Sequence, residues 1–352
     1  MSRFVVSRLL GMAIVLVAMM FIIFLLRQVV PSNPARAAVG PNAPDSVVVA
    51  KEKELGLDDP LLTQFGAYVR QLGTGDLGMS LTTLNPVRTD IRRNLPASAE
   101  LLAAAILLAI VLAVALSLAQ TLLARSEIYR QLMVGGASSP IFLTGLVLVY
   151  LLSFKLGWFP SDGRTGIVDA PSGPTNLLTI DGLLAGRPQV TLDALWHLIL
   201  PALTLALSMS LAIARTLRSS IIGVLRQDHV RTARSKGLTE FQVVRRHVLR
   251  NASTGAISMT GLQIGFLFAN LVIVERIFSW PGLGLYLTQV LAREDLTATL
   301  GVALIFGIAF IVVSTLVDVA LAVADSGRPR VAVGPRPTES GVAAPSRPEY
   351  CV

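Results

Sequence analysis

Long apolar stretches separated by polar segments run through the 352-residue chain. Six stretches have roughly the 17–25 residues that a helix needs to cross about 30 Å of hydrocarbon. None of them alternates apolar and polar residues with a period of two, so strands are not expected. The stretches lie at residues 9–26, 98–123, 132–154, 195–217, 257–274 and 298–324. This pattern predicts an all-α integral membrane protein with six transmembrane helices, surrounded by a lipid bilayer.

The first apolar stretch shares some features with a secretory signal peptide. Arg3 and Arg8 precede it, and Ala35-Arg36-Ala37 looks like a cleavage site. The apolar run is longer than the usual signal-peptide core of about 7–15 residues, however. The cleavage-like site also lies beyond the polar residues 31–34. Residues 1–30 are therefore predicted to form the N-terminus and a retained first transmembrane helix.

The chain combines few charges with a basic excess. Hydrophobic residues make up 53% of it and charged residues only 15%, yet 30 Lys and Arg outnumber 22 Asp and Glu. A net charge of +8 would fit nucleic-acid binding, but the basic residues concentrate in alternate loops. Such a bias marks cytoplasmic loops. The termini and the basic loop 218–256 are therefore predicted to be cytoplasmic, and no nucleic-acid partner is expected.

The spans divide the chain into four parts. The N-terminal span at residues 1–30 is followed by an external region at 31–96 and a membrane core at 97–324, which contains loop 218–256. A tail at 325–352, rich in Pro, Gly, Ser and Ala, is predicted to be disordered. The one cysteine, Cys351, excludes an intrachain disulfide.

Loop 218–256 carries the most specific local signal. Residues 228–236 are predicted to form a short helix that ends at Gly237, where a glycine takes a positive φ at little cost. Thr239 and Gln242 have the spacing of a capping box, which predicts a second helix over residues 240–251. This helix–glycine–helix unit could fit a groove on a soluble partner, or it could be a solvated basic loop that sets topology. Its spacing alone does not decide between them, although tethering at both ends disfavours a DNA-binding helix-turn-helix.

The sequence of this unit resembles the EAA-type cytoplasmic signature of binding-protein-dependent ABC importer permeases. Gly237 matches the central glycine, and Thr232-Ala233-Arg234 stands in place of Glu-Ala-Ala. The segment leading to Gly237 and residues 247–252 are similar to the dipeptide, oligopeptide and nickel branch. His229 replaces a tyrosine of that pattern.

Further matches in chain order extend the resemblance over most of residues 1–330, to the first permease subunit of that branch. Leu296 departs from it by replacing a proline, and residues 31–34 and 325–328 depart as well. The matching residues are 8–10, 55–60, 64, 75–80, 94–101, 198–202, 275, 277–278 and 281–284.

The resemblance implies a type I ABC importer permease-like fold and half of a translocation pathway for di- or oligopeptides or a similar small solute. The implied partners are a homologous second permease, two cytoplasmic ATPase domains and an external solute-binding protein, at the bacterial cytoplasmic (inner) membrane. The residues implied in ATPase coupling are Asp228, Arg231, Thr232, Ala233, Arg234, Lys236, Gly237 and Leu238. The candidates for an external gate or a binding-protein contact are Asp76, Glu275, Pro281, Gly282 and Gly284.

Enzyme chemistry has little support in the sequence. The chain lacks a Gly-x-x-x-x-Gly-Lys-Ser/Thr loop, so ATP-Mg is expected on partner ATPase subunits, and no cofactor is expected on this chain. The three histidines, His197, His229 and His247, are not placed to form a metal site, and no catalytic residue is predicted.

Polar residues inside the spans leave two questions open. Gln263 and Asn270 are seven residues apart and share a helix face, so they could line a pathway or bond neighbouring helices. Asp318 could be an ion or proton site, or an acid near the cytoplasmic interface. An ion-gradient-driven secondary transporter is accordingly the alternative function.

Overall fold

A computed structural model describes residues 2–29, 39–40, 43–54, 59–122, 139–171, 173–243 and 248–326. Within these residues the chain is almost entirely helical, and extended pairing is limited to one isolated bridge between Met79 and Pro86. The prediction of an all-α protein is confirmed for the described part. The predicted disordered tail lies beyond it, apart from its first two residues, which belong to the last helix.

Twelve α-helices are described. Their bounds are α1 Ser2–Val29, α2 Asp45–Glu54, α3 Leu61–Gly73, α4 Val87–Leu122, α5 Ile141–Leu148, α6 Leu178–Leu184, α7 Pro188–Leu225, α8 Asp228–Ser235, α9 Glu240–Val243, α10 Leu249–Ile277, α11 Leu283–Ala292 and α12 Leu296–Ser326. A π-helical segment, Val149–Lys155, continues α5 directly.

Four of the predicted spans coincide with described helices that are long and apolar enough to cross a bilayer. They are Val87–Ala119, Pro188–Leu225, Ala252–Ile277 and Leu296–Ala322. The first and third predicted spans correspond to the shorter apolar segments Leu10–Leu26 and Ile141–Lys155. Residues 132–138 of the third span lie outside the described residues. The count of six spans and the side of the termini therefore stay predictions.

Two of the spans begin well before their apolar stretches. α4 starts at Val87 with Asp90 in its first turn, and α7 starts with Pro188, whose missing N–H and fixed φ suit the first helical position. A helix continues its backbone hydrogen bonds regardless of side-chain polarity, whereas the apolar stretch ends where the hydrocarbon ends. The first turns of α4 and α7 therefore precede their apolar stretches and help to form the end of the molecule that holds Glu275, described below.

α7 is the central helix of the described structure. In its most apolar window 72% of the residues are buried, against 22–28% for the other three long spans. α4, α5, α6 and α10 all contact it. The face that α4 turns to the core repeats every four residues, as Ala97, Leu101, Ala105, Ala109 and Ala113. Small residues at this spacing let two helix backbones approach closely.

Glycines allow a second close approach, between α10 and α12. A Cβ added to Gly261 would lie 2.8 Å from Val317 Cγ1, and one added to Gly265 would lie 3.5 Å from the Phe310 ring. The first distance is shorter than van der Waals contact, so a larger residue at 261 would push the helices apart. Close packing of small residues is thus observed at these two positions.

Candidate functional site

The short helix α8 lies between the two long helices α7 and α10. Its N-cap residue Gln227 is extended, and Asp228 in the first turn and Arg234 in the last turn complement the helix dipole. The Gly237 N–H donates to Arg234 O at 2.9 Å, and the Leu238 N–H donates to Ala233 O at 3.4 Å. These two bonds form a Schellman motif that closes the C-terminus of α8.

Gly237 makes this closure possible because its φ is +80°. No heavy atom lies within 4 Å of the position a Cβ would occupy there, so conformation rather than space selects the glycine. The predicted helix stop at Gly237 is confirmed.

The predicted capping box follows immediately. The Thr239 N–H donates to Gln242 Oε1 at 3.1 Å, and the Gln242 N–H donates back to Thr239 Oγ1 at 3.4 Å. It opens helix α9, Glu240–Val243. The rest of the second predicted helix is only partly covered, because residues 244–247 lie outside the described part. The described chain resumes at Val248 and continues as α10 from Leu249.

One face of this unit is apolar and packs onto the long helices. Val230, Ala233, Val243 and Val248 are buried in one cluster, which Leu238 covers in part. The α7 and α10 residues of the cluster are Leu217, Ile221, Val224 and Ala252. The short helices are therefore attached to both long helices. Ala233 is only 5% exposed, so its small side chain packs inside the chain.

The opposite face of α8 is exposed and basic. Arg231, Arg234 and Lys236 are exposed there, together with Thr232 and Asp228. Of the eight residues implied in coupling, Gly237 is also exposed, Leu238 is half-buried and only Ala233 is buried. We call the exposed set Asp228, Arg231, Thr232, Arg234 and Lys236 the basic face.

At the other end of α10 the buried carboxylate of Glu275 joins three helices. Ser98 Oγ on α4 donates to Glu275 Oε1 at 2.6 Å, and the Leu285 N–H donates to Oε2 at 2.9 Å. The Leu283 N–H donates to Ser98 Oγ at 2.7 Å. The first amides of a helix have no partner within that helix. Ser98 and Glu275 supply the missing acceptors for α11.

Two glycines make room for this carboxylate. A Cβ on Gly282 would lie 2.3 Å from Glu275 Oε1, and a Cβ on Gly284 would lie 2.7 Å from Val272 Cα. Trp280 is also buried, and its Nε1 donates to Ala97 O at 2.9 Å. We call Ser98, Glu275, Trp280, Gly282 and Gly284 the Glu275 clamp.

The five external candidates of the sequence separate into two groups. Glu275, Gly282 and Gly284 are buried together in the clamp. Asp76 and Pro281 are exposed. Asp76 also stabilises its own turn, because its carboxylate accepts hydrogen bonds from Gln71 Nε2 and the Gly78 N–H.

Two further buried carboxylates were not singled out by the sequence. Asp295 accepts hydrogen bonds from Ser80 Oγ at 2.6 Å and from the Ala298 N–H at 3.1 Å. Asp90 accepts from Thr83 Oγ1 at 2.5 Å and from the Tyr286 hydroxyl at 2.8 Å. Both therefore attach the turn around residues 79–86 to the helices. An acid such as Asp90 is typical of the first turn of a helix, so this position could be expected from the nearby residues. Its contact with the distant Tyr286 could not be expected from the sequence.

Tyr286 stays protonated at this site. Burial raises the pKa of the Tyr286 phenol above its ordinary value of about 10, and the neighbouring carboxylate of Asp90 acts in the same direction. The protonated hydroxyl is the form that can donate to Asp90.

The polar residues of the spans have different surroundings. Gln263 and Asn270 are both half-buried, and neither side chain has a hydrogen bond within the described part of the chain. His197 lies far from the other two histidines in sequence, and its Nδ1 is 2.8 Å from Asp193 O. The described residues contain no group of His, Cys, Asp and Glu suited to hold a metal ion.

Family comparisons agree with this architecture. Residues 126–328 match the family model described as the inner membrane component of binding-protein-dependent transport systems. Residues 1–101 match the model of the N-terminal part of such a membrane component. The first match covers more than half of the 352 residues and includes α8, Gly237 and the capping box.

Individual relatives match along nearly their whole length. A probable D,D-dipeptide transport system permease of Escherichia coli K12 is 34% identical over 88% of this chain and 92% of its own. A di/tripeptide permease of Pseudomonas aeruginosa UCBPP-PA14 is 38% identical over 84% and 89%. A glutathione permease of Escherichia coli O6:H1 is 32% identical over 91% and 96%. These relatives give no support to an ion-gradient-driven secondary transporter. The chain belongs to the permeases of binding-protein-dependent transport systems, as a component of the bacterial inner membrane.

Proposed function

We propose that this chain forms half of the translocation pathway of an ATP-driven importer for di- or oligopeptides or a similar small solute. The substrate class is supported by the three relatives, whose names give D,D-dipeptides, di- and tripeptides, and glutathione. All of these are short peptides with free carboxylates. A homologous second permease would complete the pathway, and an external solute-binding protein would deliver the solute.

The observation that carries the coupling proposal is the construction of α8. Its basic face is exposed, while its apolar face packs onto α7 and α10. A soluble ATPase domain with an acidic groove would pair with the basic face, and its movement would reach both long helices. The spans would then rock between outward and inward openings. ATP-Mg would bind to the two ATPase domains, because this chain has no phosphate-binding loop.

The proposed orientation follows the basic residues. Loop 218–256 and both termini would be cytoplasmic, and residues 31–96 would be external. Gln263 and Asn270 would face the pathway or the second permease, which is consistent with their lack of hydrogen bonds within the described residues.

Substitution of Gly237 tests the coupling. Gly237→Val places a β-branched residue at φ +80°, whereas Gly237→Asn places there a residue that tolerates the left-handed region. In proteoliposomes of the complete complex, we expect Gly237→Val to insert normally and to hydrolyse ATP without importing peptide. Gly237→Asn should retain most of the uptake. Normal uptake by Gly237→Val would rule out the coupling role.

A cross-link tests the contact itself. Ser235 is exposed on α8, and Cys351 is the one native cysteine. In a Cys351→Ser background, Ser235→Cys should cross-link to the ATPase subunit, whereas Thr74→Cys, exposed after α3, should not. Equal labelling at the two positions would contradict docking at α8.

A further inference from the structure

A polar pocket lies at the end of the chain remote from α8. Its volume is about 260 Å³, and its lining includes Arg93 and Asn94 of α4, Arg164 and Asn176 of the loop that precedes α6, Asp181 of α6 and Pro281. Arg93 and Asn94 precede the apolar stretch that starts at residue 98, so the pocket opens beyond the apolar part of α4. A soluble molecule can therefore reach it without entering the bilayer.

The arginine at the inner side of this pocket is held in place. Arg164 Nη2 donates to Glu100 Oε2 at 2.5 Å, and the guanidinium lies over the Trp280 ring with its Cζ 5.6 Å from the ring centroid. Glu100 is held in turn by the Thr179 N–H at 3.0 Å. Arg164 Nε is buried and has no hydrogen-bond partner within the described residues.

The second arginine of the pocket, Arg93, keeps its charge accessible. Arg93 is exposed and makes no ion pair with any residue that the structure describes. The one acid in the lining, Asp181, is 1% exposed, and its Oδ1 accepts hydrogen bonds from the Thr175 hydroxyl and N–H. The backbone of Gly173 covers it, because a Cβ there would lie 2.3 Å from Asp181 Cγ. With Arg164 paired to Glu100 and Asp181 buried, the accessible charge of the pocket is that of Arg93 and is positive.

We infer that this pocket receives a carboxylate side chain, Asp or Glu, of the external solute-binding protein when that protein docks. The exposed guanidinium of Arg93, beside the guanidinium of Arg164 that Glu100 holds in place, suits a carboxylate, which accepts several hydrogen bonds at once. The inference rests on the proposed function, since it requires an importer with an external binding protein. Pro281 borders the pocket and Trp280 belongs to the Glu275 clamp, so a docked carboxylate would lie directly against the external end of α10.

Two neighbouring arginines provide a matched test. Arg92 and Arg93 are both exposed on α4, but only Arg93 lines the pocket. Each is replaced by Glu in the complete complex, reconstituted in nanodiscs, and the affinity for its own purified binding protein is measured at low and at physiological salt. We expect Arg93→Glu to weaken binding at least tenfold and Arg92→Glu less than twofold. Arg93→Ala should have an intermediate effect.

Three outcomes would overturn the inference. Equal weakening by Arg92→Glu and Arg93→Glu would indicate attraction by net charge alone, and unchanged affinity in Arg93→Glu would exclude the contact. Direct binding of a free dipeptide to the complex without the binding protein, lost in Arg93→Glu, would assign the pocket to the solute instead. ATP-driven uptake by the unaltered complex is measured in parallel. Its absence would contradict the proposed function, whereas its presence with unchanged docking in Arg93→Glu would contradict this inference alone.

Discussion

Ser98 and Glu275 are 177 residues apart in sequence and share a buried hydrogen bond of 2.6 Å. The bond connects the first apolar turns of α4 to the last turn of α10. Because Ser98 and Glu275 also accept the Leu283 and Leu285 amides, α11 is fixed to both long helices. This end of the molecule is thus held together by a carboxylate that is fully buried.

Substitutions of Glu275 should lower stability in a graded way. Glu275→Ala leaves the Ser98 hydroxyl and the Leu285 amide without an acceptor, and each unmet buried donor costs about 1–3 kcal/mol. Glu275→Gln retains one acceptor oxygen and should have a smaller effect. The fraction of protein that stays folded after heating in detergent ranks the stabilities of these variants. Glu294→Gln, at an exposed position, is the control. If Glu275→Ala melts at the same temperature as the unaltered protein, the Glu275 clamp does not stabilise the fold.

Two helical glycines should respond to alanine in opposite directions. Gly284→Ala forces a Cβ to within 2.7 Å of Val272 Cα, which a backbone atom cannot relieve cheaply. We expect a loss of about 1–3 kcal/mol, as in other overpacked sites. Gly223 has no atom within 4 Å of the added Cβ, so Gly223→Ala should gain up to about 1 kcal/mol from helix propensity. The same heating assay compares them, and a Gly284→Ala protein as stable as Gly223→Ala would be inconsistent with this packing.

The capping box predicts a local effect on backbone dynamics. Thr239→Ala removes the acceptor of the Gln242 N–H, and loss of an N-cap hydroxyl costs about 1 kcal/mol. Amide hydrogen exchange over residues 239–243 should accelerate by roughly fivefold, since 1 kcal/mol corresponds to about that factor. Thr232→Ala removes a hydroxyl that only bonds its own helix at Asp228 O, so exchange at 239–243 should not change. Similar exchange rates in both variants would argue against the box.

Tyr286 should make stability depend on alkaline pH. A tyrosine in the unfolded chain ionises near pH 10, whereas burial keeps the Tyr286 phenol protonated to higher pH. Its contribution is therefore complete below about pH 10 and is lost as the pH rises toward the raised pKa. Tyr286→Phe should be less stable at neutral pH, because Asp90 loses a donor, and should decline less steeply above pH 10. The measurement is the free energy of unfolding of Tyr286→Phe and of the unaltered protein across this pH range. Tyr150→Phe is the control, because Tyr150 is exposed. A Tyr286→Phe protein that loses stability as steeply as the unaltered one above pH 10 would contradict the prediction.

The success of the sequence predictions depended on the range of the interactions. Gly237, Thr239 and Gln242 were placed correctly because a helix stop and a capping box are built from residues within a few positions of each other. The apolar stretches located the long helices, but not their polar first turns. Hydropathy follows the hydrocarbon, and the helix at Val87 begins before it.

Contacts between distant residues were not predictable in this way. Glu275 was expected at an external gate or partner contact, and nothing near it in sequence indicates that Ser98 and the α11 amides enclose it. The same holds for Asp295 with Ser80 and for Ala233, whose inward direction depends on how α8 packs onto α7. Each of these placements is set by the packing of whole helices.

α10 is one continuous helix that connects the helix–glycine–helix unit to the Glu275 clamp. The helix runs from Leu249, beside the helix–glycine–helix unit, to Ile277, beside the Glu275 clamp, and contains no proline. Its 29 residues span about 43 Å, so a tilt of about 5° at one end displaces the other by about 4 Å. Neither end can move far without the other. A force applied at the basic face and one applied at the pocket lined by Arg93 would therefore act near opposite ends of the same helix.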